Sequence, residues 1–168
     1  VAGHSSDKCE WVKQSREKDA NGRYSDYFIW TDTISAKDKA DIARRYKAKN
    51  PASSTIGRYV ESGAPRAKYY EKNFFECQPA LNYGFANPDP SRPWEQAPDA
   101  PGPQAVRREL RNIMAFWFDK GVDGFRVDMA ASLIKNDKGK VETSKLWREM
   151  RKWKDEKYPE KVLISEWS

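Results

Sequence analysis

The sequence predicts an α/β chain built on a parallel sheet, and three observations predict it. Two short runs, Gly124-Phe125-Arg126-Val127 and Leu163-Ile164-Ser165, have the length and apolar content of β-strands. Each follows a stretch whose apolar residues recur at helical spacing. Each ends on an acidic side chain, Asp128 after the first run and Glu166 after the second. A helix leading into a strand, repeated in tandem, is the pattern of a parallel sheet covered by helices. Where such units close into a (β/α) barrel, the chemistry sits at the strand ends. Asp128 and Glu166 are therefore candidates for a catalytic carboxylate pair.

Composition sets the bounds. A hydrophobic fraction of 38%, with seven Trp, eight Tyr and seven Phe, excludes a disordered chain. No run of eighteen or more apolar residues is present, so no membrane-spanning helix is predicted. The chain opens on Val1, inside what reads as a motif, and stops at Ser168 just after Glu166, so we read it as a piece of a larger protein. A signal peptide would lie upstream of it, and the compartment is not legible.

Taken in order, Val1-Ala2-Gly3-His4 reads as the tail of a strand. Any of Ser5, Ser6 and Asp7 could cap the helix suggested by Glu10-Trp11-Val12-Lys13. His4, the only histidine, stands at a strand-to-loop junction; a structural role and a ligand contact both fit it. Asn21-Gly22 marks a turn, and Tyr27-Phe28-Ile29-Trp30 predicts a short aromatic strand. Ala40, Ala43 and Tyr46 predict a helix from about Ala36 to Lys49, stopped by Asn50-Pro51. A loop-rich segment with Ser53-Ser54, Gly57 and Gly63-Ala64-Pro65 leads to Asn73-Phe74-Phe75-Glu76-Cys77 and Gln78-Pro79-Ala80-Leu81-Asn82. Pro88, Pro90, Pro93, Pro98, Pro101 and Pro103 then leave a stretch too poor in donors for regular structure, and we read it as a boundary.

After Pro103 the pattern turns regular. Val106, Leu110, Ile113, Met114, Trp117 and Phe118 form one apolar helical stripe that Gly121 is placed to end, and a strand from Val122 to Val127 follows. The unit then repeats as a turn at Asn136-Asp137-Lys138-Gly139, a helix from about Glu142 to Lys157 with Leu146, Met150 and Trp153 inward, and a strand from Lys161 to Ser165. The predicted organisation is residues 1–4 as a strand end, 5–103 as an irregular α+β excursion between two barrel strands, and 104–168 as two helix–strand units.

The net charge of +6 raises the question of nucleic acid. Lys145, Arg148, Arg151, Lys152 and Lys154 alternate with Trp147, Met150 and Trp153, which is the solvated face of an amphipathic helix. No zinc-knuckle spacing or RNP-like strand supports nucleic-acid binding, so none is predicted. Cys9 and Cys77 are too far apart in sequence for a metal-binding pair, and disulfide and free thiols both stay open. No cofactor and no metal site is predicted.

Side chains alternate along a strand, so Arg126 and Asp128 share one side while Phe125 and Val127 share the other. A guanidinium beside Asp128 favours the ionised acid and suits a nucleophile. Glu166 follows an apolar strand and precedes Trp167, a setting that suits a proton donor. Adjacent parallel strands lie about 4.8 Å apart. That brings carboxylates at equal heights near the ~5–5.5 Å of a retaining glycosidase rather than the ~6.5–9.5 Å of an inverting one. Taken singly, each acid reads equally as a helix cap or a surface ion pair; the repetition at two consecutive strand ends favours the functional reading.

These residues carry a resemblance. Gly124-Phe125-Arg126-Val127-Asp128 resembles the nucleophile motif of the α-amylase family of glycoside hydrolases, family 13, and Ile164-Ser165-Glu166 resembles its acid/base motif. Val1-Ala2-Gly3-His4 is similar to the end of the family's first motif. Gln78-Pro79-Ala80-Leu81-Asn82 is similar to the motif closing the domain inserted after the third barrel strand. With Tyr27-Phe28-Ile29-Trp30, that last motif points to the oligo-1,6-glucosidase, α-glucosidase and trehalose synthase branch.

The resemblance implies a partial (β/α)8 TIM barrel, the strand 3 to 5 region, with an inserted domain B, and a substrate that is an oligosaccharide or α-glucan. It implies Asp128 as nucleophile, Glu166 as general acid and then base, Arg126 as the partner orienting the nucleophile, and His4 as a sugar contact in subsite −1. Gly3 stands where the family usually has a calcium-binding Asn, so no calcium is assigned, and Ala80 replaces a common Asp. The family's third catalytic acid belongs to a motif downstream of Ser168. The resemblance also admits a non-catalytic relative acting as a partner module, against which Asp128, Arg126 and Glu166 argue. An intramolecular transglycosylase such as trehalose synthase differs only in the acceptor. A piece with so few of a barrel's eight strands is expected to be inactive alone and to self-associate through open sheet edges.

Overall fold

A computed structural model describes residues 2–18 and 21–166. They form two compact units, one running from His4 to Asn82, the other joining the segment that ends at Gly3 to the chain from Tyr83 onward.

In the first unit, α1 (Glu10–Ser15) precedes β1 (Trp30–Thr31), α2 (Ala36–Tyr46), β2 (Tyr59–Glu61) and β3 (Tyr69–Glu71). The three strands make an antiparallel sheet in the order β1-β3-β2, with Trp30 and Val60 both paired to Tyr70. Ser15 ties α1 to this sheet: its hydroxyl accepts from Trp30 Nε1 at 2.8 Å and donates to Ser25 O at 3.2 Å. Ser35 and Asp38 close a reciprocal capping box on α2. The guanidinium of Arg45 is fully buried, and Glu76 Oε1 at 2.8 Å, Ile56 O at 3.0 Å and Tyr59 O at 2.9 Å receive its protons. A charge this far from water is tolerated only with such complete pairing.

The details differ from the sequence reading in three places. Of the predicted aromatic strand only Trp30 joins β1, which continues to Thr31, because Phe28 makes a single bridge to Leu81 and Tyr27 packs its ring against Trp11 and Tyr24. The N-cap of α1 is Cys9 without a side-chain cap, since Ser6 Oγ accepts from Lys8 N instead. Helix α2 stops at Tyr46, short of Lys49, where the N–H groups of Lys47 and Ala48 turn back onto Arg44 O and Arg45 O.

The second unit contains α3 (Pro101–Asp119), β4 (Gly124–Val127), α4 (Val141–Lys157) and β5 (Val162–Ser165). Helix α3 begins within the Pro-rich stretch because proline in a first turn forfeits no intrahelical hydrogen bond. Its stripe is buried at Val106, Met114 and Phe118 but exposed at Ile113 and Trp117. Gly121, at φ 93°, ends the helix, and the N–H of Val122 returns to Trp117 O. Asp137 starts α4 by accepting from Val141 N at 3.0 Å and Thr143 N at 2.8 Å. Leu146 and Met150 are fully buried beneath it. Glu149 of α4 pairs with both Arg107 and Arg111 of α3. Strands β4 and β5 are parallel, in the register Gly124↔Val162 through Val127↔Ser165.

Two boundary expectations are corrected. The chain divides at Asn82 and Tyr83 rather than at Pro103, because the Pro-rich return is stitched to the second unit. Phe85 N donates to Gln96 O, Lys135 N to Gly84 O, Ala86 N to Lys135 O, and Tyr83 Oη to Ala2 O. Val1 lies outside the described residues, and residues 2–4 form no strand; His4 makes one antiparallel bridge to Ala80. Among the described residues the parallel sheet has two strands.

Candidate active site

The register of β4 and β5 dictates the site. Val127 pairs with Ser165, so the next residue on each strand, Asp128 and Glu166, leaves the sheet at the same end and height. Gly124, at the head of the motif, makes this close pairing feasible: a Cβ built there would lie 2.4 Å from Val162 O. Alternation puts Gly124, Arg126 and Asp128 on one face with Val162, Ile164 and Glu166. Val162 and Ile164 are 52% and 61% exposed, whereas Val127 on the opposite face is buried.

Arg126 spans both acids. Its Nη1 donates to Asp128 Oδ1 at 2.8 Å, and its Nη2 forms an ion pair with Glu166 Oε1 at 2.5 Å. The second oxygen of Glu166, Oε2, accepts the main-chain N–H of Met129 at 3.2 Å. The backbone closes around the pair, with Glu166 N donating to Val127 O at 2.9 Å and Ala130 N to Glu166 O at 3.1 Å. Met129 holds a left-handed backbone, φ 53° and ψ 37°, and leads into a single 3-10 turn, Ala130–Ser132.

The structure thus brings Asp128, Arg126 and Glu166 together, with two differences from the sequence reading. Arg126 serves both carboxylates rather than Asp128 alone, because the parallel register delivers Glu166 to the same guanidinium. The polar partners of Glu166 are that guanidinium and an amide; Trp167, the basis for an apolar neighbour, lies outside the described residues. Met129 joins the site through its main chain, and nothing about a methionine side chain signals the positive φ that brings it there. His4 belongs to the other compact unit. There its Nδ1 meets Asn73 Nδ2 at 3.0 Å and its ring stands edge-on to Phe74.

Among the described residues no group of three or more His, Cys, Asp or Glu side chains is placed to hold a metal. No helix among them is long and apolar enough to cross a membrane. Cys9 and Cys77 are free thiols. The arrangement offers two carboxylates at one sheet edge and a cation between them, which is suited to a nucleophile and a proton carrier acting on opposite sides of one bond.

The chain resembles known proteins in sequence and in fold. The family model described as the alpha amylase catalytic domain matches residues 1–168. The chain is 31% identical over 170 residues to the trehalose synthase of Pimelobacter sp. (strain R48), covering 99% of the chain and 25% of that protein. It is 34% identical over 135 residues to the oligo-1,6-glucosidase of Bacillus sp. (strain F5), covering 80% of the chain and 21% of that protein. Among solved structures, the trehalulose synthase MutB from Pseudomonas mesoacidophila MX-45 superposes with a TM-score of 0.65 at 24% identity, covering 99% of the chain and 28% of that structure. This likeness establishes a shared fold. The chain spans about a quarter of the length of the curated relatives it matches over nearly its whole extent.

Proposed function

Because the chain belongs to the alpha-amylase catalytic-domain family, we propose that it is a segment of a retaining α-glycoside hydrolase acting on α-glucosides or α-glucans. In this reading β4 and β5 are consecutive strands of a (β/α)8 barrel, and the unit from His4 to Asn82 is the domain inserted before them. The observation that carries the proposal is the parallel register that sets Asp128 and Glu166 at matching strand ends with Arg126 on both.

The reaction runs in two displacements. Glu166 protonates the glycosidic oxygen while an oxygen of Asp128 attacks the anomeric carbon; the carbon–oxygen bond to the leaving group breaks, and a glycosyl ester on Asp128 forms. Glu166, now a carboxylate, takes a proton from water, whose oxygen attacks the same carbon and releases Asp128. Arg126 orients Asp128 by donating Nη1 to its Oδ1. Glu166 exchanges its guanidinium partner for the glycosidic oxygen before the first transfer.

The full-length protein tests this. Asp128→Asn should abolish turnover, since an amide is a far weaker nucleophile. Glu166→Gln should cripple alkyl glucosides while sparing the first step on activated aryl glucosides, which leave without a proton. Equal losses on both substrate types would remove Glu166 from the acid role.

A second reading is favoured by one observation: the similarity to proteins named trehalose synthase covers 99% of the chain, against 80% for the oligo-1,6-glucosidase. An intramolecular transglycosylase shares the first displacement and keeps the released glucose as acceptor in place of water. Product analysis on maltose separates the two, since trehalose forms in one case and glucose in the other.

A further inference from the structure

We propose that Met129 is a positioning residue: its left-handed backbone aims a main-chain N–H at Glu166 and fixes which carboxyl oxygen carries the transferable proton. The inference rests on the glycosidase reading and adds to it a role for the peptide that follows the nucleophile.

A φ of 53° is uncommon for a residue with a full side chain and persists only where surrounding contacts impose it. Here they are on both sides of the peptide. Ser132 holds Met129 O twice, through its N–H at 3.1 Å and its hydroxyl at 3.0 Å. The 3-10 turn is pinned to α4 by Trp147 Nε1, which donates to Ala130 O at 2.8 Å. The N–H of Met129 is thereby left pointing at Glu166 Oε2, 3.2 Å away, while Ala130 N holds the main-chain carbonyl of the same glutamate at 3.1 Å.

The chemistry follows from what an N–H can do. It only donates, so Oε2 must remain an acceptor in both protonation states of Glu166. Arg126 likewise only donates, so protonation of Glu166 must displace one of its two donors. The amide is fixed in the backbone whereas Arg126 is a half-exposed side chain, so in the neutral acid the guanidinium is released and the proton resides on Oε1, the oxygen on the side of Asp128. The amide thus orients the donor oxygen toward the side of the site where the nucleophile stands. A turn free to leave the left-handed region would lose that orientation without removing any charged group.

The test is a substitution series in the full-length protein, read as kcat/KM on maltose or isomaltose and on 2,4-dinitrophenyl α-glucoside. Met129→Val disfavours a positive φ and should lower kcat/KM on the disaccharide by about 10-fold or more, while the aryl glucoside, which needs no proton, changes by less than about 2-fold. Met129→Asn, whose side chain tolerates the left-handed region, should recover most of that loss. Ser132→Ala, which loosens the grip on Met129 O, should show the same selective loss in smaller measure and carries the test alone should the Val variant fail to fold. Equal losses on both substrates, an Asn variant as poor as the Val variant, or a Val variant matching wild type would each overturn the proposal. A wild-type protein that turns over none of these glucosides would instead sink the glycosidase reading itself.

Discussion

Replacing Gly124 with Ala should strain the strand pair that carries the site. An ideal Cβ at Gly124 falls 2.4 Å from Val162 O, 3.1 Å from Val162 C and 3.2 Å from Val162 Cβ. The first distance is about 1 Å short of an ordinary carbon–oxygen contact of roughly 3.3 Å. The atom in the way is a main-chain oxygen of the paired strand, not the end of a flexible side chain. Gly124 lies in strand β4, so the cost is steric and not one of a left-handed backbone. Overpacking of this kind costs roughly 1–3 kcal/mol, and a clash that only backbone movement can relieve belongs at the upper end, about 3 kcal/mol. Relief must come from β5 bending away from β4, and Asp128 and Glu166 stand just beyond the same ladder. Urea unfolding of the full-length protein should show a lower midpoint with an unchanged slope. Turnover of disaccharide and aryl glucoside should fall together, because both carboxylates move. A variant within about 0.5 kcal/mol of wild type and fully active would refute the argument that close backbone approach is why glycine heads this strand.

Three further outcomes are expected. Asp137→Ala should cost about 1–2 kcal/mol near pH 7 by uncapping α4. Burial alone would raise the Asp137 carboxyl, but the amides of Thr143, Glu142 and Val141 outweigh it and hold it below its ordinary value. Its contribution is therefore present above the carboxylate range and lost as pH falls through the folded-state value, so the gap between wild type and variant should close on acidification; a gap that persists to about pH 2 would refute this. Arg45→Met should cost about 3 kcal/mol in urea unfolding, because it strands Glu76 and the carbonyls of Ile56 and Tyr59, and a neutral variant would show that water replaces the guanidinium. The 168-residue chain expressed alone should turn over no α-glucoside and should self-associate in light scattering through the exposed face of Val162 and Ile164, with Ile164→Thr weakening the association. Turnover by a monodisperse monomer, abolished by Asp128→Asn, would show that this much of the sheet suffices.

The helix–strand units were legible in the sequence because their periodicities are strong and local. The stripe of α3, the inward Leu146 and Met150 of α4 and the runs of β4 and β5 all fall within a residue or two of the observed elements. What escaped depends on partners distant in sequence. Phe28 looks like a strand residue and has only Leu81 to pair with. The division at Asn82 follows from hydrogen bonds between Lys135 and both Gly84 and Ala86, which no local pattern announces. Arg45 sits on what reads as a polar helix face, yet three acceptors from the chain around Ile56, Tyr59 and Glu76 draw it into the core.

The same distinction explains the site. Asp128 and Glu166 stood out because each ends a strand-like run, but the relation between them is set by the ladder, and three residues control it from within one β-α-β unit. Gly124 sets how closely the strands approach, Arg126 holds one oxygen of each acid, and Met129 holds the other oxygen of Glu166 from the turn that follows β4. Only one of these three roles involves a charged side chain; the other two are carried by the absence of a Cβ and by a backbone angle. A reading of side-chain chemistry finds the acids and the arginine, and it is the parallel register, with Val127 opposite Ser165, that makes the three a single site.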